Sequence, residues 1–286
     1  YPLRRQRQMC IRDSDYTVTE DGDIDYFLGI GYERQTDGSL IATQTGFIDR
    51  FIKKFGLTDA KPAMTPMETT FRVTDEMIDE NAPPERVKLY QSMMGCAVYC
   101  QIWTRPDIGF CVNVLSRYLT RPSMTLVKAA KRLLCYLKYS RELGLRFSKA
   151  IRNSDLSFVT AFMDASDADC VITRKSTGGH ILFIGLGPTV WKVGQSPVTT
   201  LSTAESELMQ IAATVQDVKH LHDILEGLGF PQTTTTLYED NQAAIQIAEN
   251  ACYRSKTKHM GRRYRFIRDA VENKEVILIY CPTEYN

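Results

Sequence analysis

The sequence predicts an α/β protein in which residues 151–286 run βββαβααβ, a mixed sheet with helices, preceded by an α+β part made of a hairpin and a helical segment. Three observations carry this. Short apolar runs of strand length recur after Ser148. One long helical pattern, Thr203 to about Leu225, separates three of them from the rest. Three consecutive strands followed by helical crossovers fold into a mixed sheet with helices packed on it.

The elements follow in order. Tyr26, Phe27, Leu28 and Ile30 form a short apolar run ending near Gly29 and Gly31. Asp37-Gly38 marks a tight turn, and Ile41 to Thr43 resumes a strand pattern, so Asp25 to Thr45 reads as a hairpin. Phe47, Ile48, Phe51, Ile52 and Phe55 have helical spacing, and Gly56 stops that helix. Lys61 to Pro84, with four prolines and Asp75, Glu76, Asp79 and Glu80, reads as a solvated connecting loop. Tyr90 to Phe147 reads as mostly helical, with Pro106 in the first turn of a second helix. The third helix, Leu126 to Tyr139, sets Lys128, Lys131, Arg132 and Lys138 against Leu133, Leu134 and Leu137. Such a helix is either a plain surface helix or one that tracks phosphates.

In the C-terminal part, Leu156 to Met163 reads as a strand ending in Asp164. Gly179 to Ile184 and Thr189 to Lys192 follow as strands, and then the long helix ends at Gly227. Leu237 and Tyr238 close a fourth strand before Asp240. Helices cover Ala243 to Glu249 and about Arg263 to Glu272, and Val276 to Tyr280 is the fifth strand.

Length and composition bound the possibilities. The 286 residues suit two domains. At 43% hydrophobic the chain builds real cores, and a net charge of +1 leaves nucleic-acid binding to local basic patches. No apolar run reaches the roughly 18 residues of a membrane span, so no membrane partner is expected. The eight cysteines form no zinc pattern or disulfide framework, which suggests a reducing intracellular setting. Cys96 and Cys100 are either half a metal site or two small hydrophobes on one helix face. Tyr1 to Ser14 is basic without an apolar core and reads as a foreign or disordered leader. The expected division is therefore 1–14, 15–150 and 151–286.

Three acids stand at telling places. Asp164 ends the first strand of the C-terminal part, Asp240 follows the fourth, and Glu207 lies early in the long helix. Brought together, they repel one another unless a cation offsets the charge. Oxygen ligands suit Mg²⁺ or Mn²⁺, and a pair of such ions serves an in-line displacement at phosphorus. Each acid has an alternative. Asp164 lies in a run with Asp167 and Asp169 that reads equally as a polar turn, and Asp240-Asn241 reads equally as a helix cap. Glu205 competes with Glu207, but Ser202 and Glu205 have capping-box spacing, which gives Glu205 a structural task.

Several motifs resemble one family. Phe162-Met163-Asp164-Ala165-Ser166 is similar to the first catalytic strand of ribonuclease H. Arg174-Lys175-Ser176-Thr177-Gly178-Gly179, Ser202 to Glu207, Glu239 to Ala243 and Lys256-Thr257-Lys258-His259 resemble, in order, signatures of copia-type retrotransposon Pol polyproteins. Tyr26 to Ile30 resembles the hairpin that holds the primer end in the family's reverse transcriptase, Phe47 to Phe55 the start of its thumb, and Thr104 to Asp107 with Leu115 to Tyr118 its connection region. The resemblance implies a ribonuclease H-like fold that hydrolyses RNA in RNA–DNA hybrids, with Asp164, Glu207 and Asp240 holding two Mg²⁺ or Mn²⁺ ions. It also implies a hybrid or template–primer and the rest of the Pol polyprotein as partners, in a cytoplasmic virus-like particle or the nucleus. Nucleic-acid contacts fall to Arg174, Lys175, Lys256, Lys258, His259, Arg262, Tyr26 and Gly29. For His259 and the basic run the alternatives are a packing residue and a solvated helix face.

The chain departs from the family pattern in places. The polymerase Y-x-D-D turn expected upstream of Tyr26 is absent, so the chain as given is not a competent polymerase. The family's fourth acid is expected just past Asn286. Gly261 stands where relatives often carry an acid, and Trp191 to Ser196 drifts from W-x-S-K-x-Q. An inactive relic that only binds nucleic acid is the alternative function.

Overall fold

The computed structural model describes residues 24–148, 159–167, 169–200, 202–249, 261–284 and 286. The first sheet is antiparallel, in the order β1 (Tyr26–Phe27), β2 (Ile30–Arg34), β3 (Leu40–Thr43), β4 (Leu145–Phe147). The apolar run Tyr26 to Ile30 is not one strand. Leu28 and Gly29, at φ 50° and 78°, make a two-residue turn between β1 and β2. Both central residues are left-handed, the geometry that matches strand twist in a tight hairpin. Asp37 closes the β2–β3 turn, its Oδ1 accepting from Ser39 N at 2.8 Å.

Helix α1 (Thr45–Lys54) ends as expected at Gly56, which has φ 63° and donates to Lys53 O at 3.1 Å. Helices α2 (Pro84–Trp103), α3 (Gly109–Ser116) and α4 (Met124–Tyr139) pack with α1 around one core that includes Tyr90, Met93, Leu115, Leu133 and Leu137. Cys100 lies in this core and Cys96 packs against it, in keeping with two small hydrophobes. Arg105 is 1% exposed. Its guanidinium donates twice to Asp107 (2.8 and 2.7 Å) and to Ser140 O and Oγ (2.9 and 2.7 Å), tying the end of α2 to the end of α4.

One expectation for this half needs correction. The helical stretch does not reach Phe147, because Leu145–Phe147 is strand β4, paired with β3 about a hundred residues earlier in the chain. The basic face of α4 is partly committed to structure. Lys138 Nζ donates to the carbonyls of Leu57 (3.3 Å), Thr58 and Ala60 (3.1 Å), and Arg132 reaches Glu68 and Thr65.

The second sheet has five strands, β5 (Val159–Ser166), β6 (Thr177–Ile184), β7 (Gly187–Gln195), β8 (Thr235–Glu239) and β9 (Val276–Tyr280), in the spatial order β7-β6-β5-β8-β9. The first three form an antiparallel meander, and β8 and β9 join in parallel through the crossover helices α5 (Thr203–Gly227), α6 (Gln242–Glu249) and α7 (Gly261–Glu272). This is the expected βββαβααβ order of a ribonuclease H-like sheet. Three strands run longer than expected: β5 continues two residues past Asp164, β6 begins at Thr177, and β7 spans Gly187–Gln195. The core-facing alternation Val159, Ala161, Met163 meets Leu182, Leu237, Val276 and Leu278, with Ile211, Val215 and Val218 of α5 above them.

The edge strand β7 leans on the helical part. Trp191 Nε1 donates to Gln101 O at 2.7 Å, Asn113 Nδ2 to Val193 O at 3.3 Å, and Arg117 Nη2 to Thr177 Oγ1 of β6 at 3.0 Å. Among the described residues no helix is long and apolar enough to cross a membrane.

Candidate metal centre

Strand register brings Asp164 and Asp240 side by side. β5 and β8 are parallel, with Phe162 opposite Tyr238. Two residues further on stand Asp164, still within β5, and Asp240, the residue after the end of β8. Glu207 comes from the second turn of α5. Ser202 caps that helix, its Oγ accepting from Glu205 N at 3.3 Å, which fixes where the second turn begins. The three carboxylates each offer an oxygen, and these oxygens lie within 4.8 Å of one another. Asp164 is exposed, Asp240 half-buried, and Glu207 only 2% exposed. They surround an open cavity of about 500 Å³ whose rim adds Thr203, Asn241, Gln242 and Tyr280.

The alternatives raised by the sequence separate here. Asn241 caps α6, its Oδ1 accepting from Ala244 N at 3.0 Å, so Asp240 is not the cap. Asp240 Oδ2 accepts from Thr283 Oγ1 at 2.6 Å. Asp167 turns away from the cluster and accepts from Ser176 and Thr200 (3.1 and 3.0 Å).

Electrostatics mark the cluster as short of positive charge. Burial, then the charges of Glu239, Asp164 and Asp240, push the Glu207 carboxyl up to about 9. Burial and then Asp240 raise Asp164. Glu207 Oε2 is buried with no hydrogen-bond partner among the described residues. An unpaired buried carboxylate is costly, and a hard divalent cation is the group that all-oxygen donors of this kind accept. The residues present therefore fit such an ion.

Sequence reasoning passed over Glu239. It is fully buried at the end of β8, its Oε1 accepts from Asn241 N at 3.1 Å, and its Oε2 has no partner among the described residues. Burial raises it to about 8. The available signal was its strand register, since Thr235, Leu237 and Glu239 all face the core.

The expected nucleic-acid residues are scattered. Tyr26 is exposed on β1, its Oη accepting from Arg50 Nη2 at 3.2 Å. Gly29 stands in the hairpin turn above Tyr99, whose Oη donates to Leu28 O. Arg174, at φ 54°, is exposed in the turn before β6, and Lys175 Nζ donates to Pro197 O at 2.9 Å. Arg262 is exposed at the start of α7. None of these lines the carboxylate cavity. Lys256, Lys258 and His259 lie outside the described residues.

No protein-family model matches the chain. Over 276 residues, 95% of its length, it is 29% identical to the retrovirus-related Pol polyprotein from transposon TNT 1-94 of Nicotiana tabacum. It is also 29% identical over 269 residues to the corresponding polyprotein from transposon RE2 of Arabidopsis thaliana. Homologues over 94–95% of the chain are retrovirus-related Pol polyproteins of copia-type transposons. The chain spans 20% and 18% of the lengths of those two relatives. Among solved structures, this chain is similar to RNase H1 from Halobacterium salinarum, with 14% identity and a TM-score of 0.31 over 44% of this chain and 87% of that one. Within the chain, the ribonuclease H-like fold rests on the strand order.

Proposed function

We propose that this Pol segment hydrolyses the RNA strand of RNA–DNA hybrids at the pocket formed by Asp164, Glu207 and Asp240, which would hold two Mg²⁺ or Mn²⁺ ions. Residues 15–150 would be the C-terminal thumb and connection region of a reverse transcriptase, and 151–286 the ribonuclease H part. The observation that carries the reading is the meeting of three carboxylate oxygens, from β5, α5 and the end of β8, within 4.8 Å of one another.

Divalent cations bound there would supply the Lewis acidity that activates water and neutralises charge on the departing oxygen. The chain's own residues would do the positioning. Asp164 and Asp240 present oxygens at the open mouth, and Glu207 closes the floor. Thr283 occupies one oxygen of Asp240 and leaves the other for a ligand. Thr203, Asn241 and Gln242 on the rim offer hydrogen-bonding groups to a sugar–phosphate chain. Exposed Arg174 and Arg262 would add phosphate contacts, which hold a duplex without reading its bases.

The test is cleavage of an end-labelled RNA–DNA hybrid with Mg²⁺, comparing the parent with Asp164→Asn. Loss of at least a hundred-fold in rate is expected, in line with removal of a group that acts on the reacting atoms (about 10²–10³). Equal cleavage by both proteins removes the assignment. Salt-sensitive hybrid binding without metal-dependent cleavage would instead support a non-catalytic binding module.

A further inference from the structure

One helix face of α5 carries a polar stripe at spacings of three, four and three: Glu207, Gln210, Thr214 and Asp217. Its first member floors the carboxylate pocket. Two others grip a single side chain of the sheet. His180, on β6 and only 6% exposed, has Nδ1 2.7 Å from Gln210 Nε2 and Nε2 2.7 Å from Asp217 Oδ2. With the Gln210 amide nitrogen facing Nδ1, Nε2 is the ring nitrogen that meets Asp217. Lys192 Nζ, from β7, completes the chain at 2.6 Å from Asp217 Oδ1. One imidazole thus spans two turns of α5 and fixes where the helix stands along β6.

Gly178 makes room for this arrangement. A Cβ there would lie 2.2 Å from Gln210 Oε1. Gly178 pairs with Ala165, next to Asp164. The paired glycines of the Arg174 to Gly179 motif thereby acquire a physical role: the bare backbone at Gly178 lets Gln210 lie flat on the sheet and reach His180.

We propose that Gln210, His180 and Asp217 are positioning residues for the carboxylate pocket, setting the axial position of α5 so that Glu207 meets Asp164 and Asp240. The inference rests on the reading of that pocket as a divalent-cation site. It differs from a purely structural lock in what it predicts for metal affinity. A lock that only stabilises the fold lowers the melting temperature and leaves the affinity of folded molecules alone. A positioning clamp lowers the affinity of molecules that remain folded.

The experiment measures Mn²⁺ binding to the full chain, from the electron paramagnetic resonance signal of free Mn²⁺, at a temperature well below every melting transition. The proteins are the parent, Gly178→Ala, His180→Ala, Asp164→Asn and a core control, Val276→Ala, which lies on β9 away from the clamp. Gly178→Ala would push on Gln210, whose Oε1, Cδ and Cγ would lie 2.2, 3.0 and 3.4 Å from the added Cβ, and so opens the clamp without removing a buried side chain. Gly178→Ala and His180→Ala are expected to weaken Mn²⁺ binding about ten-fold, the low end of what supporting residues around metal ligands contribute, while Val276→Ala destabilises without changing affinity. If His180→Ala does not melt cooperatively, Gln210→Leu carries the same expectation, since it keeps the buried bulk and removes the bond to Nδ1. Parent-like affinity in the clamp variants, or equal weakening in Val276→Ala, overturns the inference. A parent that binds no more Mn²⁺ than Asp164→Asn overturns the cation-site reading itself, and this inference with it.

Discussion

Glu207→Gln is expected to stabilise the metal-free protein while abolishing the stability it gains from Mg²⁺. In the folded chain without metal, burial and three acidic neighbours hold the Glu207 carboxyl at about 9, against an ordinary 4.5. The sign follows from proton linkage. A raised folded-state pKa means that the native state binds more protons than the unfolded one between those values. Stability is therefore full below about pH 4.5 and is lost as pH rises toward 9. At pH 7 the loss amounts to about 3 kcal/mol, at about 1.4 kcal/mol per pKa unit. Glutamine cannot ionise, so the variant escapes this penalty and keeps nearly the same shape. The cation reverses the sign for the parent alone, adding about 2.7 kcal/mol when its concentration is a hundred times the dissociation constant. The assay is urea denaturation of both proteins at several pH values, in a chelator and then in Mg²⁺. A variant less stable than the parent in chelator at pH 8, or one that gains as much as the parent from Mg²⁺, refutes the reasoning.

Two further outcomes concern the scaffold. Arg105→Met should cost about 2–3 kcal/mol in urea denaturation, below the 3–5 kcal/mol of a fully buried pair because Asp107 is 36% exposed and water can take it over. Arg105→Lys should recover only part of this, since an ammonium cannot reproduce two parallel bonds to Asp107 and two to Ser140; full recovery would contradict the geometry. Asp217 is buried enough to be raised, yet the hydrogen bonds from His180 and Lys192 outweigh burial and hold it below the usual carboxylate range. Its contribution is present above that range and lost as pH falls through its depressed value, so Asp217→Asn should show a flatter acid limb in a pH series of melting temperatures. An unchanged acid limb would disprove the pairing.

Much of the C-terminal half was legible because its sequence obeys local rules. Strands β5 to β9 and helices α5 to α7 show apolar periods, and the capping-box spacing at Ser202 separates Glu205 from Glu207 in the sequence itself. The misses are of another kind. The Leu28-Gly29 turn went unseen because leucine is a poor left-handed residue, and only the surrounding pairs Tyr26–Gly31 and Phe27–Ile30 force it there. Strand β4 has three residues and no signal of its own; its partner β3 lies far back in the chain. Arg105 reads as a surface charge until the carbonyl of Ser140 and the carboxylate of Asp107 are placed around it. Glu239 and the His180 clamp share that difficulty, because a buried polar group is explained by partners that sequence distance conceals.

The contact of Trp191 and Val193 with α2 and α3 has a practical consequence for anyone dissecting this chain. An outermost strand with bare amides invites pairing with a neighbour molecule, and natural proteins shield such strands. Here the shield is supplied by residues that come before position 150. A piece beginning near residue 151 would keep its three clustered acids yet present an uncovered flank with an indole stranded on it. Poor solubility of such a piece would reflect the missing shield and would say nothing about the acids.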